Sequence, residues 1–219
     1  MITEALQSST VLAPALLSAL AVSALVVSDQ YNFRPGRYLC KPLAALAFIW
    51  LALALGALQS EYGSWLLTGL LCCMAGDLLL MPDNERTFLA GLIAFLCGHL
   101  LYAVAFLHLL INPTGLALSI VPAIILLWFA SRWLPAVEPQ MKLPVTLYTL
   151  VITGMLLCAG LSAGQPAASY IISGAWGFAI SDLAVARQQF VQSSRWNGLW
   201  GTPLYFLSQM VLAASVAFV

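Results

Sequence analysis

The sequence predicts an all-α integral membrane protein: a bundle of eight transmembrane helices with both termini on the non-cytoplasmic side. Three observations carry that reading. Of 219 residues, 62% are hydrophobic and only 7% charged, with a mean hydropathy of +0.97. Soluble domains carry roughly 25% charged residues, so this chain cannot cover a water-facing surface, which excludes a soluble enzyme. A hydrocarbon core about 30 Å thick takes roughly 20 residues per helix, so eight spans use about 160 residues and leave about 59 for tails and loops. No extramembrane domain fits in that remainder, and any chemistry belongs inside the bundle or at its mouths. The third observation is the one-sided placement of the cations, described below.

Apolar runs broken by turn residues give the elements in order, as a single polytopic domain over 1–219. The first helix, about 10–28, follows a segment with Glu4 and no Lys or Arg. Its end at Val26-Val27-Ser28-Asp29 lacks the small-residue pattern of a cleavage site, so it reads as a retained helix rather than a signal peptide. Asn32 to Gly36 breaks the chain before a second helix over about 42–59, opened by Lys41-Pro42. Glu61-Tyr62-Gly63 precedes a third helix at about 63–81, and Pro82-Asp83-Asn84 a fourth at about 87–110. Asn112-Pro113-Thr114-Gly115 introduces a fifth over about 115–133, and the prolines from Pro135 to Pro139 separate it from a sixth at about 143–163. Gly164-Gln165-Pro166 leads into a seventh at about 167–187, and Ser193 to Gly198 into an eighth at about 199–218. Small residues such as Gly69, Gly76, Gly91, Gly98, Gly174 and Gly177 suit close helix approach.

Cytoplasmic loops accumulate Lys and Arg. Arg34, Arg37 and Lys41 fall in or beside the first loop, Arg86 in the third, Arg132 and Lys142 at the fifth, and Arg187 and Arg195 in the seventh. All the cations therefore lie on one side, which makes the odd-numbered loops cytoplasmic; a bacterial inner membrane fits the short loops and this bias. Eight cations balance eight acids, which argues against a nucleic-acid partner and favours a neutral one dissolved in the membrane. The five cysteines lie in apolar runs without paired spacing and read as small buried side chains. Several tryptophans stand at helix ends, as interfacial belts do.

Two carboxylates lie inside apolar helices: Asp77 in Met74-Ala75-Gly76-Asp77-Leu78 and Asp182 in Ile180-Ser181-Asp182-Leu183. An ionisable side chain at such a position costs at least about 2.5 kcal/mol on insertion scales and marks function by default; the structural alternative is a helix cap or an ion pair. Asp77 is five residues before Pro82 and Asp182 five before Arg187, so at 1.5 Å per residue both are expected roughly 7–8 Å inside the cytoplasmic boundary. Two acids at one depth invite a shared site. His99 and Tyr102 share a face of the fourth helix, with His99 expected roughly 20 Å in, deeper than the acids. The structural alternative for His99 is a buried, hydrogen-bonded imidazole. With His108 it makes only two histidines, so a three-histidine zinc site cannot be built. Thr202, Tyr205, Ser208 and Gln209 form a polar stripe that must face inward, for substrate or for interhelical bonding. Lys41 is either an interfacial anchor or a phosphate-binding cation, and Tyr148 lies one to two turns into the sixth helix from the same side. Gly69 precedes Asp77 by eight residues and Gly174 precedes Asp182 by eight, an echo compatible with a parallel four-plus-four duplication. These residues alone leave a membrane enzyme, a proton-coupled transporter or lipid flippase, and a non-catalytic scaffold all open.

Gly76-Asp77-Leu78-Leu79-Leu80, then Gly91 through Gly98-His99-Leu100-Leu101-Tyr102, then Ser181-Asp182 resembles the YhhN-like lysoplasmalogenase family across essentially the whole chain. Lys41-Pro42 and Pro203-Leu204-Tyr205 take part in the resemblance. It implies a hydrolase that cleaves the vinyl-ether bond of a lysophospholipid within the bilayer, using water and no cofactor or metal. It implies Asp77 and Asp182 as the catalytic pair, and Lys41, His99, Tyr102, Tyr148 and Tyr205 are expected to hold substrate. Vinyl-ether hydrolysis needs an acid to protonate carbon and a negative charge beside the resulting oxocarbenium ion, much as glycoside hydrolysis uses two carboxylates. An acid kept from water, near a second acid, can keep its proton while its neighbour is ionised.

Overall fold

The computed structural model describes residues 9–82 and 84–219; Glu4 and Asp83 lie outside them. Eight helices cross the bundle: α1 Ser9–Gln30, α2 Arg34–Ala54, α3 Glu61–Leu79, α4 Glu85–Leu107, α5 Pro113–Trp133, α6 Pro139–Leu161, α7 Ala168–Ala186 and α8 Arg195–Ala214. All eight spans are long and apolar enough to cross a membrane, and no strand occurs among the described residues. This is a multi-pass integral membrane protein. In lipid every backbone group must be hydrogen-bonded internally, and an α-helix achieves this within its own segment.

Local chemistry sets the helix starts. Ser60 accepts from Gly63 N at 3.0 Å to open α3, Asn84 from Thr87 N at 2.9 Å to open α4, and Asn112 from Thr114 N at 3.0 Å to open α5. Proline occupies the first turn of α2, α5 and α6, where its missing N–H is no loss. After α2, Gly56 takes a left-handed φ of 85°, a conformation open to glycine without strain.

Three helices start at least four residues earlier than the sequence suggests, among them α6, which begins at Pro139 rather than near 143. α2 begins at Arg34 rather than near 42, with Pro42 inside it, and α8 begins at Arg195 rather than near 199, with Pro203 inside it. Both prolines lie two to three turns past the helix start, so each removes one i→i−4 hydrogen bond there. The consequence is that Lys41 is not in a loop but about two turns inside α2.

The α3–α4, α7–α8 and α1–α2 hairpins are the most closely packed pairs; α4 also packs on α6, α8 on α1 and α2, and α5 mainly on α6. Glycine makes the α3–α4 approach possible. A Cβ at Gly69 would sit 2.6 Å from the Tyr102 ring, and one at Gly98 only 2.7 Å from Cys73 Sγ. The starts of α2, α4, α6 and α8 and the ends of α5 and α7 carry the cations, so all of these cluster at one end of the bundle.

Candidate active site

A cavity of about 400 Å³ opens inside the bundle, and both intramembrane carboxylates are on its wall. Its remaining lining is mostly apolar and runs from Phe95 on α4 past Ile152 on α6 to Leu126, Ala130 and Trp133 on α5. That is the character of a site for a lipid chain: apolar walls with a few convergent polar groups.

Asp77, near the end of α3, is 2% exposed. Lys41 Nζ from α2 lies 3.3 Å from its Oδ1, and Tyr205 on α8 donates its hydroxyl to Oδ2 at 2.7 Å. Both oxygens are therefore held, one by a cation and one by a short hydrogen bond, as suits an ionised carboxylate. The early start of α2 is what carries Lys41 to this depth.

Asp182 on α7 has different company. Tyr148 on α6 donates to Oδ2 at 3.0 Å, and His99 Nε2 on α4 is 3.4 Å from the same oxygen. That separation is an ion-pair distance but not a formed hydrogen bond, and Nε2 has no other partner among the described residues. His99 is fully buried, its ring stacked on Phe178 with centroids 4.2 Å apart. Its Nδ1 lies 2.7 Å from the carbonyl oxygen of Phe95, one turn back on α4.

The expected depths need correction. Helical structure continues past α7 as a π turn over Arg187–Val191. His99, expected deeper than both acids, instead sits beside Asp182, with Nε2 3.4 Å from its Oδ2.

Lys41, Tyr148 and Tyr205 reach the cavity together with the two acids. His99 touches Asp182 from behind the wall. Tyr102 is placed elsewhere: it is fully buried and donates to Gln209 Oε1 at 2.7 Å, between α4 and α8. Within the polar stripe of α8, Ser208 and Gln209 are buried with Tyr205, but Ser208 bonds back to the Leu204 carbonyl. The α5 wall and Asn197 have no counterpart among the sequence candidates. Asn197 lines the cavity mouth, donating to Gln188 Oε1 at 2.9 Å and accepting from Arg187 at 3.2 Å. It had been part of a turn in sequence terms; only its place in the first turn of α8 marks it.

The chain is thus an eight-helix membrane protein with two carboxylates on the wall of one apolar cavity. The chain belongs to the YhhN family, whose model matches residues 36–216. It is 32% identical over 196 residues to rat "Lysoplasmalogenase TMEM86B", covering 87% of this chain and 76% of that one. It is 31% identical over 209 residues to the human protein of the same name, covering 93% of this chain and 85% of that one. No solved structure matches it significantly.

Proposed function

We propose that this protein hydrolyses the vinyl-ether bond of a lysoplasmalogen, releasing a fatty aldehyde and glycerophosphocholine or glycerophosphoethanolamine. The observation that carries the reading is the pair of carboxylates on one apolar wall, each with its own set of polar partners. The names of the relatives support the same substrate.

The chemistry follows from the bond. Protonation of the β-carbon leaves an oxocarbenium-like cation, water captures it at the α-carbon, and the hemiacetal collapses to aldehyde. One aspartate serves as the carbon acid while the other stabilises the cation and activates water. The vinyl-ether oxygen of such a lipid is on glycerol, just under the phosphate, so the head group lies toward the cation-bearing end and the tail along the α4–α5–α6 walls. Lys41, Tyr148 and Tyr205 act at the cavity surface, whereas His99 and Tyr102 act from behind it. In this reading the odd-numbered loops face the cytoplasm across a bacterial inner membrane, as the cation bias indicates.

The test is purified protein in detergent with a defined lysoplasmalogen, following aldehyde. Asp77→Asn and Asp182→Asn are each expected to lower release by about 10²-fold or more while the bundle stays folded. Full activity in either variant overturns the two-acid mechanism. Flux driven by a pH gradient in liposomes, without aldehyde, would instead make the protein a carrier.

A further inference from the structure

We propose that Asp182 is the acid that protonates the substrate carbon and that His99 keeps the proton at that carboxyl, while Asp77 remains the ionised partner under Lys41. This rests on the hydrolase reading and assigns the two roles within it.

The argument begins with a carbonyl. The Phe95 oxygen can only accept, so His99 Nδ1 at 2.7 Å must carry a hydrogen. A neutral His99 is then the Nδ1–H tautomer, with the lone pair of Nε2 directed at Asp182 Oδ2, 3.4 Å away. A lone pair facing a carboxylate in a buried setting is repulsive, so the pair must hold a proton between them. Phe95 on α4, Tyr148 on α6 and Phe178 on α7 surround the pair, and the buried Cys73 on α3 is a further titratable side chain interacting with Asp182. Among the described residues, Tyr148 is the other side chain that hydrogen-bonds Asp182, and no Lys or Arg pairs with this carboxylate. Separated charge in such a place is disfavoured, so the proton rests on Asp182 and the imidazole is neutral. Asp77 is the reverse case, with Lys41 at one oxygen and Tyr205 at the other.

The 3.4 Å gap matters for delivery. It is too long for a closed hydrogen bond, so a turn about the Asp182 Cβ–Cγ bond frees the O–H toward the cavity, where the carboxyl is 15% exposed. The proton passes to the β-carbon and its electron pair stays on Asp182, while Tyr148 steadies the new carboxylate. Water adds to the α-carbon and gives a proton to Asp77. On collapse, Asp77 returns that proton to the glycerol oxygen as the C–O bond breaks, and the hemiacetal hydroxyl proton goes to Asp182. The bare Nε2 opposite Asp182 favours this last transfer. Both residues end as they began, with one water consumed. His99 is a positioning residue in this scheme, since it touches Asp182 and does not line the cavity.

Infrared spectra of the full chain in lipid nanodiscs, without substrate, test the assignment independently of activity. A protonated-carboxyl C=O band is expected in the wild type, lost in Asp182→Asn and kept in Asp77→Asn. Nitrogen-15 spectra of labelled histidine in the wild type, with His108→Gln to separate the signals, are expected to show Nδ1 protonated and Nε2 bare. In the aldehyde assay His99→Gln should lower kcat about tenfold or more with KM within about twofold. An absent band, a band that follows Asp77, an imidazolium at His99, or an unchanged kcat in His99→Gln overturns the proposal. Aldehyde release that is absent from the wild type, or intact in both Asn variants, overturns the hydrolase reading instead, whatever the spectra show.

Discussion

The first four helices and the last four present their carboxylates on one contact plan. Asp77 on α3 takes Lys41 from α2 of its own half and Tyr205 from α8 of the other. Asp182 on α7 takes Tyr148 from α6 of its own half and His99 from α4 of the other. Third helix matches third, second matches second and fourth matches fourth, in agreement with the Gly-x7-Asp spacing shared by α3 and α7. The chemistry at matched places differs: a lysine stands where the other half has a tyrosine, and a tyrosine stands where it has a histidine. A shared contact plan thus offers two acids to one cavity, and in the proposed assignment the differing side chains around them pull their charge states apart. This is how two identical side chains can take opposite roles in one reaction.

The largest effect expected from breaking the comparison is at Lys41. Lys41→Met leaves Asp77 buried without its cation and should destabilise the bundle by about 3–5 kcal/mol, read as a lowered melting temperature. The double variant Lys41→Met with Asp77→Asn should regain most of that loss, because no charge remains to be compensated.

The tyrosines sharpen the same contrast. Tyr205→Phe removes a bond to an ionised carboxylate and should cost about 1.5–3 kcal/mol, whereas Tyr148→Phe removes one to a neutral acid and should cost about 0.5–1.5 kcal/mol. Denaturation of the two variants side by side measures the difference; equal losses would mean that the two acids carry the same charge.

Packing distinguishes the halves as well. Gly69→Ala drives a methyl against the Tyr102 ring at 2.6 Å, and Gly174→Ala drives one against Leu212 Cγ at 2.7 Å. Both are overpacked and should lose about 1–3 kcal/mol, with Gly69→Ala the worse in thermal melts.

The smallest effect is expected at the end of the bundle away from the cations. Glu61 Oε2 lies 3.0 Å from His108 Nδ1, but its side chain is 81% exposed. Glu61→Gln should change stability by less than about 1 kcal/mol and leave aldehyde release unaltered.

Much of the site was legible before any fold was known, for a definite reason. A carboxylate in an apolar helix violates the bilayer's solvent rule, so Asp77 and Asp182 stand out in the bare chain; Lys41 and Tyr148 are noted for their place near the same boundary, and Tyr205 for the polar stripe of the eighth helix. The α5 wall was not legible, because Leu126 and Trp133 look the same whether they face lipid or a cavity. Asn197 was hidden in a stretch with turn composition, and the meeting of His99 with Asp182 was hidden because counting residues along separate helices does not set their relative heights.

The sequence by itself determined the membrane, the number of helices and the two residues that lipid would not tolerate without a purpose. Those follow from composition and one-dimensional spacing, since burial in hydrocarbon acts on each segment alone. Only the tertiary structure decided which partner each aspartate received. Lys41 could have met either acid, and His99 could have met neither; the choice came from which helices pack together and from the early start of α2. Hydrogen bonds and ion pairs depend on separations of a few ångströms between segments distant in the chain, and that information exists only once the helices have docked.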